Sequence, residues 1–461
     1  MNNKREVLKK FFAEIQSEQL INGTILIAKD NEILYKGAFG EAELDSKQKL
    51  KINSIFNLAS VSKPITALGI MLLVQDNKLS LDDSIEKWLP DIPYKGITVR
   101  QLLNHTSGLP DYLELFEHHW DKSKIAVNQD LLQLLIKYKP DRLFQPNERM
   151  EYSNTGYVML ALIIEKVSGL SFGEYMKVNI FLPVGMENTE VFCQRLTDQT
   201  MDNYAYGYIF DVYKSKHVLP DEFPETNFVV YLDGIVGDGA IHSTVEDLYL
   251  LDRVLRNGTL IDETLLKEAY SPSSPRQAGY SDYGFGWILE SEEKKGRAVW
   301  HSGGWPGYAT YFKRYIDNDL VIIFLRNKEQ DFDFEYSILQ SIENILFDEP
   351  YEKPKVPEFQ KAKILHPEIL NRYVGEYQLE EHNDLIAKVT MKEQRLFLEL
   401  PKTMKLEMYA TSDNEFFLRS LSVTINFTSD GSNHYLTIND GSDSQTAKRI
   451  ESKIEKSDDT N

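Results

Sequence analysis

A serine and a lysine three residues apart stand at the start of an apolar segment. Ser60 and Lys63 lie in the run FNLASVSKP, which is followed by apolar residues up to Val74. In a helix this spacing puts both side chains on one face, where the lysine can take the proton of the serine hydroxyl. The pair predicts a nucleophilic serine, and the alternative is a serine that caps the helix.

The spacing alone does not select this serine, because the same pattern occurs three more times. The other copies lie in charged or polar sequences that are typical of solvated segments: Ser46/Lys49, Ser84/Lys87 and Ser291/Lys294. Ser60 differs because it stands between two apolar segments, where burial can lower the pKa of a lysine enough to make it a base. Sequence context therefore selects Ser60.

A tyrosine and an asparagine provide a second motif. Among 25 tyrosines, Tyr152 is the one with an asparagine, Asn154, two residues later. A phenol beside a lysine can share a proton, so Tyr152 and Lys63 together are predicted to act as general base and then as general acid. Asn154 is expected to hold a substrate amide or to orient Lys63.

A third motif lies late in the chain, at His301, Ser302 and Gly303, followed by Gly304. It is the one place where lysine or histidine precedes Ser/Thr-Gly. Glycine allows a strand to approach a scissile bond closely. The N–H groups of Gly304 and Ser60 would form an oxyanion hole, worth roughly 3–4 kcal/mol per donor.

The elements that must position these motifs follow from the hydrophobic periodicity. Residues 3–18 predict a helix, and most of 79–296 predicts helices and loops. Strands are predicted at both ends of this region, at 22–28, 32–38, 297–301, 308–316 and 320–326. The pattern indicates an α+β fold in which one antiparallel sheet, built from both chain ends, is flanked by helices and an inserted helical region.

The chain is too long for one typical domain. We expect a hydrolase domain over residues 1–350, a linker rich in Pro, Lys and Glu over 351–366, and a second domain over 367–455. The second domain shows a pattern of strands and turns, which predicts a small, barrel-like all-β structure.

Several function classes are disfavoured by composition. The net charge of -20 argues against nucleic-acid binding. His118 and His119 lack the spacing of a helical zinc pair, and the segment 237–239 (GDG) does not open a nucleotide-binding unit, so we expect no metal and no cofactor. Cys193 is the single cysteine. His105, in the turn-rich run NHTSGLPDY, is expected to stabilise a turn.

The N-terminal sequence is basic but has no apolar core and no small-residue cleavage site. The longest apolar runs are shorter than a membrane span. The expectation from sequence is a cytoplasmic protein without a signal peptide or transmembrane segment. Its oligomeric state stays open.

The order of the three motifs resembles that of the serine hydrolases in the penicillin-binding protein and class C β-lactamase superfamily. The resemblance covers about residues 10–350 and includes LLNHTSGLPDY at 102–112 and HSGGWPGYAT at 301–310. It implies that Ser60 is acylated by a D-Ala-D-Ala-type peptidoglycan peptide or a β-lactam and is then released by hydrolysis. It also implies a location at the periphery of the cell envelope or spore as the alternative to the cytoplasm.

One position departs from the best-known members of this superfamily, which carry lysine where His301 stands. A histidine, with a reference pKa of about 6.5, is only partly charged at neutral pH. Esterase and D-amino-acid peptidase activities therefore stay open, since family members with them often carry histidine here. A protein that binds penicillins or cell wall without hydrolysis is a further alternative.

Overall fold

The computed structural model describes residues 2–197, 200–223, 226–273, 281–329, 332–354, 361–380, 385–400, 405–418, 423–439 and 443–450. The chain divides into two compact units, Met1–Ile209 with Val218–Glu329, and Phe210–His217 with Gln330–Asn461. Residues 355–360 of the expected linker and 451–455 of the expected second domain lie outside the described residues. The domain boundaries expected from sequence stay a prediction.

The α-helices of the described residues are α1 (Asn2–Ser17), α2 (Ser62–Gln75), α3 (Val99–Leu103), α4 (Tyr112–His119), α5 (Asn128–Tyr138), α6 (Asn154–Ser168), α7 (Phe172–Met176), α8 (Leu182–Val184), α9 (Phe228–Tyr231), α10 (Val245–Asn257), α11 (Glu263–Ala269), α12 (Phe332–Leu346) and α13 (Pro367–Asn371). A 3-10 turn, Ala59–Val61, leads directly into α2. Most of the helical residues belong to the first unit, as the sequence pattern predicts.

The strands up to residue 326 are β1 (Gly23–Lys29), β2 (Glu32–Phe39), β3 (Glu41–Glu43), β4 (Gln48–Lys49), β5 (Phe56–Asn57), β6 (Glu190–Val191), β7 (Ile209–Asp211), β8 (Lys216–Val218), β9 (Ile241–Ser243), β10 (Asp282–Tyr283), β11 (Ile288–Glu292), β12 (Gly296–Trp305), β13 (Tyr308–Tyr315) and β14 (Leu320–Arg326). Seven of them form the main sheet, in the order β10-β11-β12-β13-β14-β1-β2.

Every pair of neighbours in this sheet is antiparallel. The strand β1 pairs with β14 from Gly23 opposite Arg326 to Lys29 opposite Leu320. Because β14 is buried along its whole length, its sequence is almost entirely apolar and lacks the alternation of a half-exposed strand. The predicted antiparallel sheet assembled from both chain ends is confirmed.

The helical region has a core centred on α2 and α6, which pack against each other. Both helices are buried over most of their length, which explains their strongly apolar sequences. At Gly69 the neighbouring side chains of Met176 and Ile164 approach closely, so a larger residue there would displace them. This packing fixes the first turn of α2, which carries Lys63.

The second unit contains a closed eight-stranded barrel. Its strands are β15 (Gly375–Leu379), β16 (Ile386–Lys392), β17 (Arg395–Glu399), β18 (Leu406–Ala410), β19 (Glu415–Leu418), β20 (Thr424–Asp430), β21 (Asn433–Asn439) and β22 (Ser444–Ile450). Each strand pairs with the next, and β22 pairs with β15 to close the barrel. Buried apolar side chains such as Tyr377, Val389 and Leu436 fill the interior. The predicted barrel-like domain is confirmed.

Two further features of the described residues concern membrane-spanning helices and metal-binding groups. No single helix there is both long and apolar enough to cross a membrane, although α6 and the segment Phe172–Val184, bent by 77°, pass that test as a pair by length and composition. The same residues contain no group of three or more His, Cys, Asp or Glu side chains placed to hold a metal ion.

Candidate active site

Ser60 lies in the 3-10 turn between β5 and α2 and is half-buried. The preceding residue, Ala59, has a φ of 48°, and its N–H donates to Asn57 Oδ1 over 2.8 Å. A non-glycine residue in this conformation is strained, and the asparagine helps to hold it there. The N-cap of α2 is Val61, which provides no side-chain cap. The alternative that Ser60 caps the helix is therefore wrong.

Lys63, in the first turn of α2, is completely buried. Its Nζ donates to Ser60 Oγ over 3.0 Å and to the main-chain oxygen of Asp238 over 2.9 Å. Its Nζ also lies 4.9 Å from the centre of the Tyr152 ring. The lysine thus joins the serine and the tyrosine from the buried side, and its hydrogen bonds go to Ser60 and Asp238 rather than to Asn154.

The segment that carries Asp238 is held against the helical core. Thr66 Oγ1 donates to the main-chain oxygen of Gly237 over 2.7 Å. Gly237 has a φ of 105°, and a side chain there would collide with the main chain of α6. The Asp238 carboxylate accepts from Tyr112 over 3.0 Å. Burial raises the pKa of this carboxyl, against the opposing effect of the Lys63 charge. Sequence reasoning missed Asp238, because a main-chain acceptor can belong to any residue type.

The strand β12 passes directly beside the serine turn. A Cβ atom on Gly303 would lie 2.3 Å from both Leu58 O and Thr310 Oγ1, and 3.0 Å from Ser60 N. Thr310 Oγ1 donates to Leu58 O over 2.7 Å, which ties the neighbouring strand β13 to the same turn. The next residue, Gly304, is exposed and a Cβ there would meet open space. The two glycines therefore differ: Gly303 permits close packing, and Gly304 leaves the cleft open.

His301 is buried at the start of this motif, with 3% of its surface exposed. Its Nδ1 lies 2.6 Å from Ser302 O and its Nε2 lies 3.0 Å from the Tyr283 hydroxyl. The carbonyl requires an N–H at Nδ1, so Nε2 accepts from the tyrosine. Burial, with the nearby charge of Lys63, lowers the pKa of His301 to about 3. The expectation of partial charge at neutral pH is wrong, because the ring is desolvated; both ring nitrogens are used inside the protein.

Tyr152 reaches the same cleft, with 43% of its surface exposed. Its ring centre lies 4.4 Å from that of His105 and 6.0 Å from that of His301. Asn154 is the half-buried first residue of α6. The cap of this helix is Ser153, whose hydroxyl accepts from a main-chain N–H of the first turn, so Asn154 is free of that task. The structure therefore brings Ser60, Lys63, Tyr152 and the 301–304 strand together.

A strained serine turn, a buried lysine bound to the serine, and a tyrosine beside that lysine on an α+β scaffold define a family. The chain belongs to the β-lactamase family, whose model, described as Beta-lactamase, matches residues 8–341. The protein is thus a serine hydrolase of the penicillin-binding and β-lactamase type, and the resemblance carried by the three motifs is confirmed. A second model, described as a domain of unknown function (DUF3471), matches residues 360–452.

Among individual proteins, the chain is similar to Penicillin-binding protein 4* of Bacillus subtilis (strain 168). The two are 46% identical over 448 residues, which cover 97% of this chain and 99% of that protein. Among solved structures, it is similar to a penicillin-binding protein from Bacillus halodurans, at 27% identity and a TM-score of 0.63, covering 72% of this chain and 98% of that one. D-amino acid amidase from Ochrobactrum anthropi SV3 is 25% identical with a TM-score of 0.60, covering 75% and 96%.

Proposed function

We propose that this protein hydrolyses D-Ala-D-Ala-type peptidoglycan peptides through an acyl-enzyme on Ser60, as a penicillin-binding DD-carboxypeptidase or endopeptidase. The observation that carries the proposal is the 3.0 Å contact between Ser60 Oγ and Nζ of the fully buried Lys63, beside Tyr152. The 46% identity to Penicillin-binding protein 4* supports this substrate class over the whole chain. Because peptidoglycan lies in the cell envelope, the proposal includes a location there.

In the proposed reaction, Ser60 Oγ attacks the carbonyl carbon of the scissile amide and gives its proton to the Lys63–Tyr152 pair. The N–H groups of Ser60 and Gly304 stabilise the oxyanion. The pair then protonates the leaving nitrogen, and the C–N bond breaks. A water molecule next attacks the carbonyl carbon of the ester and gives a proton to the same Lys63–Tyr152 pair. The pair returns a proton to Ser60 Oγ as the ester C–O bond breaks, which frees Ser60 and the acid product. Asn154, half-buried at the start of α6 and two residues after Tyr152, is assigned to hold the substrate amide.

A second candidate is an esterase or a D-amino-acid peptidase, and His301 is the observation that favours it. This side chain is neutral and enclosed, with its two ring nitrogens bound to Ser302 and Tyr283. It therefore supplies no positive charge for the terminal carboxylate of a D-Ala-D-Ala peptide. The fold likeness to a D-amino acid amidase points the same way. Under either candidate, we assign His301 and Gly303 to shaping the substrate-binding edge of the cleft.

A panel assay of the purified protein separates these candidates. The substrates are a D-Ala-D-Ala peptide, nitrocefin, a p-nitrophenyl ester and a D-amino-acid amide, each compared with the Ser60→Ala variant. We expect serine-dependent release of D-alanine from the peptide and a penicillin adduct on Ser60 in intact-mass spectra. Turnover of only the ester or the amide would reject the DD-peptidase in favour of the second candidate. A stable β-lactam adduct without turnover of any substrate would indicate a penicillin-binding protein that does not hydrolyse.

A further inference from the structure

His105 holds the segment around Tyr152 from three directions. Its main-chain oxygen accepts from the N–H of Glu151 over 2.9 Å. Its Nδ1 accepts from the N–H of Ser153 over 3.1 Å. Its ring centre lies 4.4 Å from the centre of the Tyr152 ring. One residue thus binds the main chain on both sides of the tyrosine and packs against the tyrosine itself.

The conformation of His105 is unfavourable in two respects. Its φ is 61°, in a region that β-carbon-bearing residues rarely adopt. Its Nε2 is buried and has no hydrogen-bond partner among the described residues. A turn that needs only a positive φ is better served by glycine or asparagine. Costs of this kind persist where the surrounding structure imposes them, and they concentrate at functional sites.

The bond to Ser153 also requires a neutral ring. Nδ1 accepts an N–H, so the proton of the neutral imidazole lies on Nε2. Protonation would turn Nδ1 into a donor that faces another donor. Burial, reinforced by the charge of Lys63, holds the pKa of His105 well below its usual range. The enclosed setting therefore preserves the acceptor that Ser153 needs.

We propose that His105 is a positioning residue that fixes the Tyr152 ring beside Lys63, and that the active site depends on its Nδ1 acceptor. The inference goes beyond the turn-stabilising role expected from sequence, and it rests on the proposed catalytic role of Tyr152. Tyr152 is 43% exposed, and among the neighbouring rings that of His105 lies nearer to it than those of His301 and Tyr283, so its direction depends on how residues 151–153 are held. His105 provides that hold.

Two substitutions separate the acceptor from the ring. The variant His105→Phe keeps an aromatic ring against Tyr152 but has no acceptor for Ser153. The variant His105→Asn keeps a short acceptor and tolerates a positive φ, but loses the ring. The readout is the rate of Ser60 modification by a fluorophosphonate probe, followed by intact mass. We expect the phenylalanine variant to react about 100-fold more slowly, because a misplacement of about 1 Å costs that much. The asparagine variant should stay within about fivefold of the wild type.

A double-mutant cycle with Tyr152→Phe tests whether His105 acts through the tyrosine. Without the phenol, adding His105→Phe should slow the probe by less than about threefold, because there is no hydroxyl left to position. Equal slowing in both backgrounds would overturn the inference, as would a phenylalanine variant as fast as the wild type. If His105→Phe does not fold, a 100-fold loss in His105→Asn would equally overturn it.

The same series keeps this inference distinct from the proposed function. A wild-type protein that the probe does not modify at Ser60 would reject the proposed function. A reactive wild type that Tyr152→Phe slows, with His105→Phe unchanged, would reject only the role of His105. Ile180→Val, which removes one methylene group from the core in the segment after α7, serves as the control for a general loss of stability. It should lower the thermal midpoint without slowing the probe.

Discussion

Replacing Gly303 by alanine tests how closely β12 must approach the turn that carries Ser60. The new Cβ would lie 2.3 Å from Leu58 O, whereas ordinary contacts begin at about 3.4 Å, so strand or turn must shift by about 1 Å. Leu58 O cannot step aside easily, because it accepts the hydrogen bond of Thr310 Oγ1. The new Cβ would also lie 2.3 Å from Thr310 Oγ1 itself. The shift must therefore change the distance between β12 and the turn that carries Ser60.

The expected effect on chemistry is large, because a shift of about 1 Å between reacting groups costs about 100-fold in rate. We expect Gly303→Ala to slow the modification of Ser60 by the fluorophosphonate probe by about that factor. Overpacking of this kind also destabilises by about 1–3 kcal/mol. Urea unfolding at neutral pH measures that loss on the same preparation.

Gly304→Ala is the matched control for stability. It makes the same substitution one residue later on the same strand, but its Cβ meets no atom within 4 Å. Neither glycine has a positive φ, so alanine can adopt the main-chain conformation at both positions. The control should leave the free energy of unfolding unchanged or raise it by about 0.4–1 kcal/mol. If Gly303→Ala were as stable as this control and reacted within threefold of the wild type, the close approach would have no functional meaning.

Two further predictions follow from the site. Ser60→Ala should abolish probe modification and turnover. It should lower the free energy of unfolding by only about 1 kcal/mol, since the hydroxyl binds Lys63 and caps no helix. A loss of several kcal/mol in urea unfolding would contradict this expectation. His301, whose pKa burial lowers from 6.5 to about 3, stays neutral in the folded protein while the unfolded chain takes up a proton, so stability must fall as the pH drops from about 6.5 towards 3. His301→Gln should flatten this decline in urea midpoints. The similar contributions of His105, whose pKa burial also lowers, and of His242, whose pKa burial lowers to about 4, would remain; an unchanged decline would refute the argument.

The sequence predicts those parts of the fold and site that depend on local pattern. The apolar runs of β1 and β14 and the apolar setting of Ser60 are all visible along the chain. Tyr152 and the 301–304 motif could be recognised because their residue types and spacing are rare in this sequence. These features carry their own signal, since burial selects apolar residues and chemistry selects particular side chains.

The remaining features arise from contacts between distant residues. The acceptor that Lys63 finds at Asp238 is a main-chain oxygen, which leaves no trace in residue type. The neutral state of His301 depends on burial beneath Tyr283, which a reference pKa does not contain. The strand β10 has only two residues and β11 is half-exposed, so neither shows a clear periodic pattern.

The pairing of β1 with β14 has a consequence for the making of the protein. Almost 300 residues separate these two neighbours, so β14 leaves the ribosome about 15–60 s after β1 at ordinary rates of synthesis. During that interval β1, with its sequence GTILIAK, has β2 on one side and an unpaired apolar edge on the other. An unpaired edge of this kind is a template for wrong partners. The nascent chain is therefore most vulnerable to aggregation before β14, the second partner of β1, has been made.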